Sequence, residues 1–220
     1  LKKVEPVMDL ISGFMIHNNC ENGDFDLFDT MLGDIEQKFG PLLKKAEWVS
    51  LGGGIHFTGE NYPLEKFAER LKRLAGEFGV QVYLEPGEAS ITKSTTLEVT
   101  VLDKLYNGKD LVVVDSSIEA HLLDLLIYRE SAKVHPNQGP HRYQVCGKSC
   151  LAGDIFGEFN FETELNIGDR ISLQDTAGYT MVKKNWFNGV QMPAIAIREL
   201  DGSLRTVREF DYTDYEQSLS

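Results

Sequence analysis

Residues 48–59, WVSLGGGIHFTG, decide the fold of this chain. An apolar run ends in three consecutive glycines (residues 52–54, the glycine turn), and a helical pattern of apolar residues begins at Pro63. A strand that ends in glycines can turn tightly and expose backbone N–H groups, and the dipole of a nearby helix makes such a turn an anion site. The stretch therefore predicts a strand, a turn with a phosphate-sized pocket, and a helix with Pro63 in its first turn. Glycines also form plain turns, so the neighbouring segments have to decide between these interpretations.

The segments on either side repeat the pattern of a short strand followed by an amphipathic helix. Residues 13–17 (GFMIH) are an apolar run typical of a buried strand, and Asp24 is placed to cap a helix that Gly40-Pro41 is expected to stop. The second helix is expected to end at Gly79, and residues 80–85 (VQVYLE) follow as a third strand. Strands that alternate with amphipathic helices indicate βαβ units and a parallel sheet.

The pattern changes after about Ser90. Residues 95–102 alternate as a half-buried strand does, residues 111–114 are apolar, and Ser116 with Glu119 fits a capping box for a short helix. Short strands are predicted around residues 157–161, 170–173, 193–200 and 204–210, with a hairpin turn at 201–202. We therefore expect a partial (β/α) barrel over residues 1–91 and a mostly β domain over residues 92–220.

Charge and composition limit the class of protein. The net charge of −12 argues against nucleic acid as the main partner, and 42% hydrophobic residues is ordinary for a globular protein. No apolar run is long enough to span a bilayer and no signal peptide opens the chain, which instead begins with what resembles the end of an amphipathic helix (residues 1–10). Three cysteines suit free thiols in a reducing compartment, so a cytoplasmic location is expected.

Three features with chemical potential fall at the ends of the three predicted parallel strands: His17, the glycine turn and Glu85. In (β/α) barrels, this edge of the sheet forms the active site. An imidazole to stack on a ring, a turn to hold a phosphate and a carboxylate to pair with a ring nitrogen are the parts that a pyridine cofactor with a phosphate arm needs. Taken singly, each has a plain explanation: a core histidine, a turn, and an exposed residue before Pro86-Gly87.

Five segments carry a resemblance to a known family: GFMIHNNCEN, WVSLGGGIHFTG, LEPGEA, CGKSCLAGD and DTAGYTMVKKNWFNG. In this order they resemble the fold-type III, pyridoxal-phosphate-dependent decarboxylases, which include ornithine, arginine and diaminopimelate decarboxylases. The branch that acts on carboxynorspermidine or carboxyspermidine is the most similar. The resemblance implies the C-terminal half of a (β/α)₈ barrel followed by a mostly β domain. It also implies pyridoxal 5'-phosphate (PLP) as cofactor, a homodimer with shared sites, and a carboxy-lyase that forms norspermidine or spermidine in polyamine synthesis.

The resemblance also implies roles for individual residues. His17 would stack on the cofactor ring, Gly53 and Gly54 would bind its phosphate, Glu85 would contact the pyridine nitrogen, and Tyr179 would lie near the phosphate. Cys150 would reach the site of the neighbouring subunit and help to protonate the substrate carbon after CO₂ leaves. Asp154 would contact the distal amine of the substrate, and residues 187–189 match a Phe-Asn-Gly turn of the family. Because buried cations need partners, Glu158 is a second candidate for a substrate amine.

Three positions depart from the family pattern. The Schiff-base lysine of the family lies in an N-terminal part of the barrel that this sequence does not match, so no catalytic lysine is assigned. Glu88 stands where the ornithine decarboxylase type has an arginine that helps to hold the phosphate, which favours the carboxynorspermidine branch. Leu151 stands where other branches have an acidic residue, which argues against ornithine or diaminopimelate as substrate.

Alternatives remain open. His135, His141, Cys146 and Cys150 have zinc-ligand side chains, but their irregular spacing without a Cys-x-x-Cys knuckle argues against zinc, and no metal ligands are predicted. Cys150 could also be an inert buried thiol. At the level of function, the alternatives are another basic amino-acid decarboxylase of the same fold and a non-catalytic relative that binds polyamines.

Overall fold

The computed structural model describes residues 4–219, and of Glu5 only the backbone. The chain divides into two compact units, Leu1–Thr92 and Lys93–Ser220. The predicted helix over residues 1–10 begins outside the described residues, and Glu5–Leu10 is a 3₁₀ helix. Among residues 4–219, no helix combines the length and the apolar character needed to cross a membrane.

The first unit is a parallel sheet of three strands with two helices. Its elements are β1 (Gly13–Met15), α1 (Phe25–Leu43), β2 (Trp48–Ser50), α2 (Leu64–Phe78) and β3 (Gln81–Tyr83). Both β1 and β3 pair with β2 in parallel, with Phe14 opposite Val49 and Val49 opposite Val82. The predicted βαβ order is therefore confirmed, and it brings the carboxyl ends of all three strands to one edge of the sheet.

Helix α1 begins where the sequence predicts and ends later than predicted. The Asp24 side chain accepts hydrogen bonds from the backbone N–H groups of Asp26 (2.8 Å) and Leu27 (3.1 Å), as an N-cap does. The prediction that Gly40-Pro41 stops the helix is wrong, because the helix continues through Pro41 to Leu43. Leu43 is fully buried in the core of this unit, and its burial offsets the hydrogen bond that proline cannot donate.

Helix α2 ends at Gly79, which takes the left-handed conformation (φ +70°), as predicted. Pro63 is its N-cap rather than a residue of its first turn. On the face toward α1, the buried Arg70 donates to both carboxylate oxygens of Glu36 (2.7 and 2.8 Å) and also pairs with Asp29. Because a buried guanidinium needs such partners, this ion network fixes one helix against the other.

The second unit is mostly β, as predicted. Its elements are β4 (Thr96–Tyr106), β5 (Asp110–Val114), α3 (Ile118–His121), α4 (Leu123–Tyr128), β6 (Lys133–Val134), β7 (His141–Cys146), β8 (Ile155–Phe161), β9 (Arg170–Gln174), β10 (Ile195–Arg198), β11 (Leu204–Arg208) and α5 (Tyr212–Gln217). Six strands form one sheet in the order β6-β9-β4-β5-β7-β8, and β10 and β11 form a separate hairpin. Neighbours in the large sheet are antiparallel except β5 and β7, which are parallel.

The helical segment after β5 differs from the prediction. The N-cap is Ser117, whose side chain accepts from the backbone N–H of Ala120, and not Ser116. Ser116 instead places its hydroxyl 2.7 Å from Nδ1 of the buried His121. The helix also breaks at Leu122 into α3 and α4. Two neighbouring serines offer the same capping chemistry, so the sequence alone does not decide which of them faces the core.

Candidate active site

The carboxyl edge of the first sheet brings together the three features that the sequence predicts there. The carbonyl of Gly52 accepts a hydrogen bond from the backbone N–H of Glu85 (2.9 Å), and the N–H of Gly53 donates to Nδ1 of His17 (3.3 Å). The glycine turn therefore contacts the residues that follow both neighbouring strands. We name His17, the glycine turn and Glu85 the strand-end set.

Each glycine of the turn has its own steric reason to lack a side chain. A Cβ on Gly52 would lie 2.3 Å from Nδ1 of His17, and Gly52 also has a positive φ of +69°. A Cβ on Gly53 would lie 2.4 Å from the carbonyl oxygen of Glu85, and one on Gly54 would lie 2.3 Å from that of Asn19. Heavy atoms cannot approach so closely, so the backbone of the turn packs directly against two neighbouring loops, the one after β1 and the one after β3.

Ser50 orients the carboxylate of Glu85 and was missed by the sequence reasoning. Its hydroxyl donates to Oε1 of Glu85 (2.5 Å) and accepts from the backbone N–H of Gly52 (3.2 Å). Ser50 is only 4% exposed, whereas Glu85 is exposed. A buried side chain thus holds one oxygen of an exposed carboxylate. The signal that could have found Ser50 is its position as a polar residue inside the otherwise apolar run WVSL.

His17 is exposed, and its ring lies against the glycine turn. Because Nδ1 accepts from Gly53, the neutral imidazole carries its proton on Nε2. A backbone donor therefore holds the ring at one nitrogen. An imidazole held in this way offers a flat face on which another ring can stack.

In the second unit, Cys150 lies on a loop of residues 147–154, the cysteine loop, and is exposed. Its backbone N–H donates to Oδ1 of Asn188 (2.8 Å), and Asn188 has a left-handed backbone (φ 59°) within Phe187–Gly189. The preceding Asn185 is anchored to α3, since its backbone N–H donates to the carbonyl of Ala120 (2.8 Å) and its side chain to that of Glu119 (3.0 Å). The turn at residues 185–189 therefore holds the backbone of Cys150 in place.

The buried side chain of Asp154 accepts hydrogen bonds that hold the cysteine loop in place. It is 4% exposed, and Oδ1 accepts from the backbone N–H of Ile118 (2.7 Å). Oδ2 accepts from both the backbone N–H (3.0 Å) and the hydroxyl (2.5 Å) of Ser149. These contacts do not support the prediction that Asp154 binds a substrate amine, because both oxygens already serve the protein. Its place in this unit is that of a buried brace between α3 and the loop that carries Cys150.

Glu158 is likewise engaged. It lies on β8 and pairs with Nζ of Lys109 (2.5 Å) and Nη2 of Arg142 (2.7 Å). The hydrogen bond from Lys109, together with the charges of both cations, lowers the pKa of Glu158 below its usual range. Glu158 thus already has two cationic partners in this unit, and its contact with a substrate amine stays a prediction.

Tyr179 is half exposed, and Nζ of Lys183 lies 5.0 Å from the centre of its ring. Lys183 also pairs with Asp124 (2.6 Å), and the hydrogen bond to that carboxylate raises the pKa of Lys183. The four side chains weighed above as an alternative zinc site do not come together: within the described part of the chain, His135, His141, Cys146 and Cys150 form no common set of ligand atoms.

This fold and the strand-end set define the class of protein. The chain belongs to the pyridoxal-dependent decarboxylases, since the C-terminal sheet domain of that family matches residues 7–177. The resemblance found in the sequence is thereby confirmed.

Comparison with individual relatives narrows the class of similar proteins further. The chain is 62% identical over 218 residues to a carboxynorspermidine/carboxyspermidine decarboxylase of Herminiimonas arsenicoxydans, covering 99% of this chain and 60% of the relative. It is 37% identical to a carboxyaminopropylagmatine decarboxylase of a Synechocystis species, covering 95% of this chain and 55% of the relative.

Among solved structures, carboxynorspermidine decarboxylase of Campylobacter jejuni complexed with norspermidine superimposes with a TM-score of 0.89 at 34% identity. The match covers 99% of this chain and 63% of that one. The chain thus spans 55–63% of the length of the relatives named here.

Proposed function

We propose that this chain forms part of a PLP-dependent carboxy-lyase that decarboxylates carboxynorspermidine or carboxyspermidine to norspermidine or spermidine. The observation that carries the proposal is the strand-end set, in which an imidazole, a glycine turn without side chains and an oriented carboxylate meet at one edge of a parallel sheet. The name and the 62% identity of the Herminiimonas relative support the choice of substrate.

The residues of the first unit fit PLP. The glycine turn presents backbone without side chains between His17 and Glu85, as a phosphate site requires, and Gly53 and Gly54 are the proposed phosphate residues. His17 stacks on the ring, and Glu85, oriented by Ser50, holds a proton at the pyridine nitrogen. When bound, PLP supplies the electron sink that accepts the electron pair left behind as CO₂ departs.

The residues of the second unit supply the proton and hold its donor. Cys150 donates a proton from Sγ to the substrate carbon after CO₂ has left, and Asn188 positions it through the backbone. Asp154 keeps the cysteine loop in place rather than touching the substrate. Tyr179 is proposed to lie near the phosphate.

Assembly and location complete the proposal. We place Cys150 in the site of a neighbouring subunit within a homodimer, in the cytoplasm, with residues 1–91 as barrel and 92–220 as β domain. The acidic surplus of the chain favours approach of a polycationic substrate and disfavours nucleic acid. The Schiff-base lysine stays unassigned.

The test is CO₂ release by the purified protein, supplied with PLP, from carboxynorspermidine, carboxyspermidine, carboxyaminopropylagmatine, ornithine and diaminopimelate. We expect the highest kcat/KM on the first two. The 37% identity to the Synechocystis relative makes carboxyaminopropylagmatine the second candidate. Faster turnover of ornithine or diaminopimelate would reject the substrate assignment.

A binding experiment separates the enzyme from a non-catalytic polyamine-binding relative. PLP binding, followed by quenching of protein fluorescence, is expected for the unchanged protein and weaker for Glu85→Gln. The control is Glu77→Gln, near the end of α2 and away from the strand-end set. Norspermidine binding without any PLP binding would favour the non-catalytic relative.

A further inference from the structure

A second group of side chains lies just beyond the strand-end set. Glu21 lies four residues after His17, His56 two residues after the end of the glycine turn, and Glu88 three residues after Glu85. We name these three residues the outer set. Because all three loops leave the same edge of a parallel sheet, the outer set is assembled by the same topology.

The three side chains converge on one point. One ligand atom from each of Glu21, His56 and Glu88 lies within 4.8 Å of the other two. Nε2 of His56 and Oε2 of Glu21, 2.6 Å apart, form a hydrogen-bonded pair, and a bound ion would replace this contact and separate the two atoms. The side chains of Glu21 and His56 are 55% and 39% exposed, so an ion from solvent can reach them. In the described part of the chain, this is the one group of three or more such ligands so close together.

The loops that carry the outer set are tied to one another next to each ligand. The N–H of Asn22 donates to the carbonyl of Gly54 (2.9 Å), and the N–H of His56 donates to the carbonyl of Asn22 (2.9 Å). The hydroxyl of Thr58 donates to the carbonyl of Ala89 (2.9 Å), beside Glu88. The backbones of all three ligands are therefore held relative to one another, which lowers the cost of binding an ion.

We propose that Glu21, His56 and Glu88 bind a divalent transition-metal ion of the first row, with zinc or manganese as the fitting class. One imidazole nitrogen and two carboxylate oxygens are ligands that these ions accept, and two carboxylates balance a charge of +2. Three protein ligands leave positions open for water or another oxygen ligand.

The ion also resolves an electrostatic conflict. Two carboxylates border a turn whose backbone is suited to an anion, and His56 is only two residues from Gly54. A divalent cation between the carboxylates removes the repulsion that an anion at the glycine turn would meet. This consequence rests on the proposed function, whereas the metal site itself does not.

The test is a titration of the purified protein with Co²⁺ after chelator treatment and without PLP. We expect saturable binding of one ion per chain, visible as ligand-field absorption without a thiolate-to-cobalt charge-transfer band, and displacement by Zn²⁺. Glu21→Gln, Glu88→Gln and His56→Gln should each weaken binding at least about tenfold. Glu60→Gln, an exposed glutamate four residues after His56, should leave binding unchanged.

Three results would reject the site: no saturable binding, binding that the three substitutions leave unchanged, or a charge-transfer band that reports cysteine ligands. Circular dichroism of each variant checks that the fold is retained, and the isosteric Glu→Gln changes cover the case in which a His56 variant fails to fold. Because PLP is absent from the titration, its failure leaves the decarboxylase proposal standing. Failure of PLP to bind would likewise leave the metal result intact.

Discussion

The two units hold their candidate site residues in opposite ways. In the first unit, exposed side chains depend on backbone: the glycine turn contacts His17 and Glu85 directly, and a single added carbon would collide with them. In the second unit, an exposed Cys150 depends on polar side chains, chiefly the buried Asp154 and the exposed Asn188. A site built on backbone should fail when atoms are added, whereas a site built on a polar network should fail when atoms are removed.

The largest expected effect is from Asp154→Ala. It leaves the buried N–H of Ile118 and both donors of the half-buried Ser149 without their acceptor, which we expect to cost about 3 kcal/mol in the free energy of unfolding. Asp154→Asn keeps part of the acceptor capacity and should cost about half as much. Urea unfolding gives both values. Glu158→Gln, which alters an exposed ion pair, is the control and should destabilise the protein far less than Asp154→Ala does. Equal losses of stability in Asp154→Ala and Glu158→Gln would show that Asp154 does not stabilise the cysteine loop.

The second prediction concerns the pH dependence of the same unit. Burial, assisted by the charge of Lys148, lowers the pKa of His121 from its ordinary 6.5 to about 4. As pH falls, the unfolded chain therefore binds this proton before the folded chain does. The stability due to the neutral ring is complete above about pH 6.5 and is lost as pH falls through about 4, up to about 3 kcal/mol.

The measurement is urea unfolding at several pH values for the unchanged protein and for His121→Gln. The difference between the two should shrink as pH falls through this window, because other titrating groups are common to both. A difference that stays constant with pH would contradict the assignment to His121.

Gly53→Ala tests the first unit by adding one carbon. Its Cβ would lie 2.4 Å from the carbonyl oxygen of Glu85, so the turn has to move, at a cost of about 2 kcal/mol and with loss of most PLP affinity. Gly76→Ala is the matched control, because a Cβ there meets nothing within 4 Å and the residue lies inside α2. That control should stabilise the protein by up to about 1 kcal/mol. A tolerated Gly53→Ala would refute the close contact.

The smallest effect is expected for Ser50→Ala. Loss of the hydroxyl that orients Glu85 should cost about 1 kcal/mol of PLP binding, which is about a fivefold loss of affinity. Ser172→Ala is the control, since it removes a similar hydrogen bond from a serine to an exposed glutamate, Glu98, on the second sheet (2.6 Å). PLP titration of both variants makes the comparison, and equal affinities would show that Ser50 does not orient the carboxylate that matters.

The sequence predicted the strand-end set well. The period of the apolar residues identifies strands and helices in alternation, and this topology places the residues that follow parallel strands at the carboxyl edge of the sheet. For Ser50 the only signal is a polar residue inside an apolar run, and that signal does not indicate that the side chain faces Glu85. Helix α1 passing through Pro41 was missed for a related reason: local propensity argues for a stop, and only the core shows that burial of Leu43 outweighs it.

The second unit was harder to predict. Strand β7 (HRYQVC) was missed because polar residues interrupt its apolar positions, although Tyr143 and Val145 are buried. Helix α5 was missed because its signal is a capping box between Asp211 and Asp214 rather than an apolar stripe. The braces of Cys150 depend on contacts between residues 30 or more positions apart, such as Asp154 with Ile118 and Asn188 with Cys150. No local pattern encodes such contacts, and the resemblance to a family supplied the residues without their geometry.

The three contacts of the glycine turn also constrain its length. Gly52 and Gly54 meet His17 and Asn19 on the loop after β1, and Gly53 meets Glu85 on the loop after β3, so consecutive residues alternate between two loops. Inserting or deleting one residue would shift every one of these pairings at once, even if the new residue were another glycine. The number of residues in the turn therefore sets which contact each of them makes, and this length is as restrictive as the requirement for glycine.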